Sequence, residues 1–159
     1  MGIGSDEFRS ALGHFASGVT VITTWDADGR PTGFTANAFT SVSLSPPLIL
    51  VCVDHKAQSY PALQSSGGFA VNILAVGQEA ISKRFAVTGG DKFDGLVWST
   101  GPGGLPLLSG TLAAMECQTV QAYPGGDHTI FVGQVETVHV QTAEPLLYYQ
   151  GKYHRLSQG

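Results

Sequence analysis

The stretch GFTANAFTSVSLSPPLILVCVD (residues 33–54) joins two extended segments of different character. Its first half mixes Thr, Phe and Ser, whereas residues 48–53 are apolar at every position. Ser45-Pro46-Pro47 separates the halves, because proline cannot donate a backbone hydrogen bond to a sheet. An unbroken apolar run is typical of a strand covered on both faces, so we expect the second half to lie centrally or at an interface.

More strands are predicted on both sides of this stretch. Before it, VTVITTW (residues 19–25) is rich in β-branched residues, and the turn Asp26-Ala27-Asp28-Gly29 leads to the run from residue 33, which indicates a hairpin. After it, further extended segments are predicted at residues 68–74, near 111–122, at 129–142 and, as one short strand, within 145–156.

The predicted helices are few and short. Phe8, Leu12 and Phe15 follow helical spacing, with Ser5 as N-cap and Gly18 as the end. SYPALQSSGG has Ser59 as N-cap and Pro61 in the first turn, and QEAISKRFA is the last helical segment. Many strands at short spacing with glycine-rich turns predict a mainly β fold, a closed or nearly closed barrel with helices over its ends.

Composition limits the classes of function. A chain of 159 residues predicts one domain over residues 1–159. A net charge of -4 with scattered Lys and Arg argues against nucleic acid, and no apolar run is long enough to span a membrane. Only 13% of residues are charged, which favours at least a dimer. The polar start MGIGSDEF has no signal pattern, so we expect a cytoplasmic protein in which Cys52 and Cys117 are buried, reduced thiols.

Three polar groups are candidates for binding chemistry, each with a plain structural alternative. The small and polar residues 35–43 could approach a flat ligand, or form the outer face of an exposed strand. Ser82-Lys83-Arg84-Phe85, with Asp91-Lys92-Phe93 after it, could bind a phosphate or form a solvated helix face. Asp127 and His128 stand where a strand begins, and could shape a turn or face a bound molecule. The GxGxxG, GxSxG, HExxH and paired CxxC patterns are absent, so neither a Rossmann site nor a metal site is expected.

Taken in order, the segments resemble the short-chain flavin reductases, the reductase components of two-component flavin-dependent monooxygenases. The resemblance covers residues 8–156 and rests on GFTANAFTSVSLSPPLILVCVD, SYP, ISKRFA, DKF, YPGGDHTIFVGQV and LLYYQGKYHRL. It implies an FMN-binding split β-barrel of Greek-key type that works as a homodimer. It also implies that NADH or NADPH gives a hydride to FMN or FAD, and that the reduced flavin leaves for a separate monooxygenase.

The resemblance also implies roles for individual residues. Those matching the flavin-binding segments are Thr35, Ala36, Asn37 and Ser41 along the ring and ribityl chain, Cys52, Val53 and Asp54 at the ring edge, and Ser59, Arg84, Phe85 and Lys92 near the phosphate. The nicotinamide side matches Asp127, His128, Tyr148 and Tyr149. His128 is the candidate catalytic residue, lining the nicotinamide pocket or stabilising charge that develops on reduced flavin.

Two other functions stay open at this point. One is a flavin-binding electron carrier or storage protein without nicotinamide turnover. The other is a split-barrel enzyme that uses a resident flavin to reduce a different substrate. No residue distinguishes FMN from FAD, and the absence of an arginine cluster for a 2′-phosphate favours NADH over NADPH.

Overall fold

The computed structural model describes residues 2–157 of the chain. Its elements are α1 Ser5–Leu12, β1 Ser17–Gly18, β2 Thr20–Trp25, β3 Pro31–Ala36, β4 Phe39–Leu44, β5 Pro47–Asp54, α2 Tyr60–Ser66, β6 Gly68–Ile73, α3 Glu79–Phe85, β7 Trp98–Thr100, β8 Pro106–Leu108, β9 Ala113–Gly125, β10 His128–Val140, β11 Leu147–Tyr149 and β12 Lys152–His154. The mainly β class predicted from the sequence is confirmed.

The largest sheet is antiparallel and has the strand order β3-β2-β6-β9-β10-β5-β4. Its two edge strands, β3 and β4, are neighbours along the chain, linked only by Asn37 and Ala38. Two residues can span only a short distance between the end of β3 and the start of β4. The sheet must therefore curve until its two edges approach each other at this link. The backbone N–H of Cys52 on β5 donates to the carbonyl of Ala38 at 3.0 Å, which continues the pairing of β4 with β5 into the bend. This curvature supports the predicted barrel.

Two smaller sheets complete the described structure. β1, β11 and β12 form one, and β7 pairs with β8 in the other. Two clusters of buried residues form the core. The first contains Val51 and Val53 of β5 with Phe131 of β10, and the second contains Val21 of β2 with Phe85 of α3.

β5 differs in part from the prediction. It lies between β10 and β4, but only alternate residues, Ile49, Val51 and Val53, are buried, and Cys52 between them is half-buried. The apolar run therefore has one face in the core and a second face that is partly open. That second face carries Cys52 toward the candidate site described below.

The first helix also departs from the prediction. α1 begins at Ser5 with Gly4 at the N-cap and ends at Leu12, because the N–H of Gly13 closes the last turn and the chain then extends into β1. Ser5 as N-cap and Gly18 as the end are therefore wrong. None of the residues of α1 is buried, and Phe8 is 50% exposed. Its apolar stripe has no partner within the described part of the chain.

The other differences are local. Ser59 stands at the N-cap of α2 as predicted, but its hydroxyl donates to the carbonyl of Gly33 at 3.0 Å and does not cap the helix. The run predicted through residues 33–43 is interrupted at Asn37 and Ala38, and the single strand predicted near the C-terminus is the hairpin β11–β12. The strands β1, β7 and β8, each two or three residues long, were not predicted. Within residues 2–157, no helix is both long and apolar enough to cross a membrane.

Candidate active site

A cavity of about 520 Å³ lies where the bend between β3 and β4 meets the end of β5 and the start of β10. Its lining includes eight of the residues predicted from the sequence: Thr35, Ala36, Asn37, Cys52, Asp54, Phe85, Lys92 and His128. Cavities of this size commonly hold cofactors and small substrates. Segments that are far apart in the sequence therefore meet at one site.

The pairing of β5 with β10 forms one wall of this cavity. Asp54 is directly opposite His128 in the register, and Cys52 is opposite Ile130. Because side chains alternate along a strand, Cys52 and Asp54 share one face of β5, whereas Val53 between them is fully buried in the core. Burial raises the pKa of the Cys52 thiol, so the thiol is neutral at physiological pH.

The bend between β3 and β4 forms a second wall. Ala36 and Ala38 have small side chains there, which lets a ligand come close to the backbone. The hydroxyl of Thr35 donates to the carbonyl of Ser82 at 2.6 Å and so ties the wall to α3. Phe85 at the end of α3 is buried and packs edge-on against Phe93, with ring centroids 5.2 Å apart.

A lysine stands at one end of the cavity. Partial burial lowers the pKa of Lys92, and its ammonium has one long hydrogen bond, at 3.4 Å, to the carbonyl of Phe85. No carboxylate is paired with this ammonium among the described residues. A partly desolvated cation without a counter-ion suits an anionic ligand group such as a phosphate.

His128 stands at another edge of the cavity. Its Nδ1 is 2.7 Å from Oδ1 of Asp127, and this contact lowers the pKa of the Asp127 carboxyl. The N–H of His55 donates to the carbonyl of Asp127 at 3.0 Å, and Gly126 between the strands has a φ of 70°. The second ring nitrogen of His128 has no partner among the described residues, so it remains available to a ligand.

Arg84 is placed differently from Lys92. Its Nη1 donates to the carbonyls of Asp94 at 2.7 Å and Lys92 at 3.3 Å, and the residue does not line the cavity. The guanidinium thus holds the loop that carries Lys92. Its predicted contact with the flavin phosphate stays a prediction.

The structure does not bring the remaining predicted residues into this cavity. Tyr148 lines an adjoining hollow of about 220 Å³ together with Thr35 and Asn37. Tyr149 packs against the rings of His14 and His154, at 6.3 and 6.1 Å between centroids. Ser41 is exposed on β4, and Ser59 is buried beneath Thr32 and Gly33.

Several residues of the lining were not singled out from the sequence. They are Phe34, Lys56, Ala57, Gln58, Ala86, Val87 and Thr88. Lys56 offered a usable signal, since the chain has only eight Lys and Arg and this one follows a predicted strand end. The others have common side chains whose position depends on how the sheet curves.

The residues of the cavity fit a flavin. Small side chains on one wall leave room for a flat ring, polar side chains stand at its rim, and an unpaired ammonium can meet a phosphate. Within residues 2–157, no group of three or more His, Cys, Asp or Glu side chains could hold a metal ion.

Comparisons with known proteins point the same way. The family model described as "Flavin reductase like domain" matches residues 12–157. The chain is 42% identical over 147 residues to the flavin-dependent monooxygenase reductase subunit HsaB of Rhodococcus jostii (strain RHA1), covering 92% of this chain and 75% of that protein. It is 40% identical over 157 residues to the FMN reductase (NADH) SmoA of Agrobacterium fabrum, covering 99% and 89%.

A solved structure is similar over nearly the same length. It is the NADH:FAD oxidoreductase SgcE6 of Streptomyces globisporus C-1027, in complex with NAD and FAD fragments. The two share a TM-score of 0.91 and 41% identity, over 96% of this chain and 93% of that one.

Proposed function

The chain belongs to the flavin reductase like domain family, and we propose that it oxidises NADH, reduces free FMN or FAD, and supplies the reduced flavin to a separate monooxygenase. The observation that carries this proposal is the cavity between β3, β5 and β10. It has an unpaired ammonium at one end and a histidine with a free ring nitrogen at another edge. A carrier without nicotinamide turnover would not need that histidine.

A flavin in this cavity would accept a hydride from a nicotinamide stacked on it, with the reacting atoms roughly 3–3.5 Å apart. The protein's own task is to place the two rings. Ala36 and Ala38 leave space for the ring beside the backbone, Thr35 and Asn37 offer polar groups at its rim, and Lys92 meets the phosphate. Removal of water between the walls strengthens each of these contacts.

His128 is proposed to act on the nicotinamide side. The Asp127 carboxylate accepts a hydrogen bond from the Nδ1–H of His128 and thereby orients the ring, which leaves Nε2 free to face a ligand. From that position Nε2 can hydrogen-bond the nicotinamide or stabilise charge that develops during transfer. Tyr148 and Tyr149 remain predicted members of the same side.

Further features belong to the same proposal. We expect a single domain, a split barrel, a homodimer and a cytoplasmic location. The exposed apolar stripe of α1 is available for contact between subunits, and both cysteines are free thiols, which agrees with a reducing compartment. Ser41, Val53, Ser59 and Arg84 stay predicted flavin contacts from the sequence.

A steady-state assay tests the activity. The purified protein is mixed with NADH or NADPH, and with FMN, FAD or no added flavin, while loss of reduced nicotinamide is followed by absorbance. We expect NADH oxidation that saturates with added flavin. Flavin binding without nicotinamide oxidation in any pair would contradict the proposal and favour a carrier.

A pair of variants tests His128. His128→Ala is expected to slow hydride transfer or raise the KM for NADH while the flavin Kd stays the same. His139→Ala is the matched control, because His139 is exposed at the far end of the same strand. If His128→Ala and His139→Ala both reduce flavin at the rate of the wild type, Asp127 and His128 only shape a turn.

A further inference from the structure

His55 follows the last residue of β5 and bonds the chain on either side of His128. Its backbone N–H donates to the carbonyl of Asp127 at 3.0 Å. Its ring Nε2 lies 3.0 Å from the hydroxyl oxygen of Thr129. Because His55 contacts residues 127 and 129, it restrains the backbone of the histidine between them.

The Thr129 side chain lies on the face of β10 away from the cavity proposed for the flavin. Side chains alternate along a strand, so His128 lines that cavity whereas Thr129 lines a separate hollow of about 370 Å³ beside α2. His55 lines neither of them. An effect of the His55 ring on the proposed reaction would therefore pass through the backbone of β10, without contact with a ligand.

The hydroxyl of Thr129 is shared with the first residue of α2. Oη of Tyr60 lies 2.7 Å from Oγ1 of Thr129, and Nε2 of Gln64 donates to the same Oη at 3.1 Å. The rings of Tyr60 and His55 also pack together, with centroids 5.1 Å apart. Because Tyr60 accepts from Gln64, its own hydrogen is available to Thr129. These groups thus form one continuous set of hydrogen bonds that runs from α2 to His55.

The turn that carries Asp127 is influenced by both neighbouring histidines. The pKa of the Asp127 carboxyl is lowered by His128, through a hydrogen bond and through charge, and also by the charge of His55. The side chain of Asp127 is 89% exposed, so packing does little to hold it. Hydrogen bonds, more than packing, therefore hold this turn against β5.

We propose that His55 is a positioning residue for the reaction, and that its ring acts by holding His128 at the nicotinamide side of the cavity. This inference rests on the proposed function. A displacement of about 1 Å in a group that contacts the reacting rings can slow a transfer about a hundredfold. The contact between the His55 ring and Thr129 limits such displacements of His128.

Four single variants test this role. His55→Ala removes the ring and keeps the backbone bond to Asp127, and Thr129→Val removes the partner hydroxyl from the other side. His55→Gln is the conservative variant, because its amide can reach the position of Nε2 and bond Thr129. His139→Ala is the matched control, since His139 is exposed at the far end of β10. Single-turnover reduction of bound flavin by NADH gives the rate of hydride transfer, flavin titration gives Kd, and thermal unfolding gives Tm.

We expect His55→Ala and Thr129→Val to slow hydride transfer roughly fivefold, as for the loss of one hydrogen bond, while the flavin Kd changes less than twofold. His55→Gln and His139→Ala should transfer hydride at close to the wild-type rate. A double variant that carries His55→Ala and His128→Ala should be no slower than His128→Ala, because His55 acts only through His128. A purely structural role would slow the double variant further.

Several results overturn the inference and leave the proposed function intact. One is hydride transfer in His55→Ala as fast as in His139→Ala, and another is a double variant about fivefold slower than His128→Ala. Failure of His55→Gln to restore the rate, or a flavin Kd that rises as much as the rate falls, would overturn it too. If His55→Ala does not fold, wild-type transfer in Thr129→Val overturns it. No oxidation of NADH by the wild type with any flavin would instead refute the proposed function, and this inference with it.

Discussion

Replacing Lys92 by Met tests whether this end of the cavity binds the flavin phosphate. Methionine keeps much of the apolar stem and removes the charge. At about 4 Å and an effective dielectric constant of about 20, an ammonium and a phosphate charge attract by about 4 kcal/mol. Solvent reaches much of this side chain, so we expect a net loss of about 1.5–2 kcal/mol, or roughly 10- to 30-fold in the Kd for FMN. Riboflavin, which lacks the phosphate, should bind both proteins equally.

The same substitution should not destabilise the unliganded protein, although it weakens FMN binding. Burial lowers the pKa of Lys92 from its ordinary value of 10.5, so folding at neutral pH disfavours the charged form. Lys92→Met removes that cost, and the Tm of the apo variant should equal or exceed that of the wild type. The difference should shrink as the pH rises through the lowered pKa towards 10.5, because the lysine then becomes neutral in both states.

The assay is a titration of flavin fluorescence with FMN and with riboflavin, alongside thermal unfolding at several pH values. Lys152→Met on β12 is the matched control, since Lys152 is exposed and does not line the cavity. Equal weakening of FMN and riboflavin, or unchanged FMN binding, would refute the placement of the phosphate at Lys92.

Three further predictions concern Arg84, Cys52 and the buried carboxylate of Glu116. Arg84→Ala should raise the Kd of FMN and of riboflavin alike, about fivefold, because the guanidinium holds the loop of Lys92 and Asp94; a loss confined to FMN would instead show direct contact with the phosphate. Alkylation of Cys52 by iodoacetamide, measured by mass spectrometry of the intact protein, should be slow at neutral pH and faster at higher pH, because burial raises the pKa of its thiol. FMN should block the reaction, because Cys52 lines the cavity. If FMN did not slow the alkylation, the flavin ring would have to lie elsewhere. Glu116→Gln should lower the free energy of unfolding by about 2–3 kcal/mol, because the buried carboxylate accepts three hydrogen bonds and an amide nitrogen cannot accept any. Urea unfolding measures this loss, with Glu136→Gln as the control variant. Equal stabilities of the two variants would contradict the prediction.

The sequence predicted the fold class because the strands carry their own signal. β-branched residues from 19 to 25 and the apolar run of β5 indicate extended structure before any tertiary contact is considered. The periodicity of α1 likewise predicted a helix. It did not predict that Phe8 and Leu12 would be exposed, because burial depends on a partner surface that residues 2–157 do not supply to α1.

Residues of the site were predictable where they belong to segments whose order along the chain resembles the flavin reductases. Thr35, Asn37 and His128 were selected from the sequence and lie in one cavity. The different roles of Lys92 and Arg84 were not predictable from the sequence. Arg84 donates to the carbonyls of residues 92 and 94 only once the loop is folded. Gln58 also lines the cavity, and nothing in its local sequence distinguishes it.

The pairing of β5 with β10 has a consequence for how the protein folds. It joins Leu48 to Gln134 and Asp54 to His128, pairs that are separated by about half the length of the chain. Such distant pairings form late, because a large loop must close before any contact compensates for the lost entropy. Cys52 and His128 belong to strands that meet only through this pairing, so a nascent chain that has not yet released β10 has no complete cavity. Recovery of flavin binding after dilution from denaturant would therefore report the closure of the sheet, and should lag behind the recovery of local helical structure.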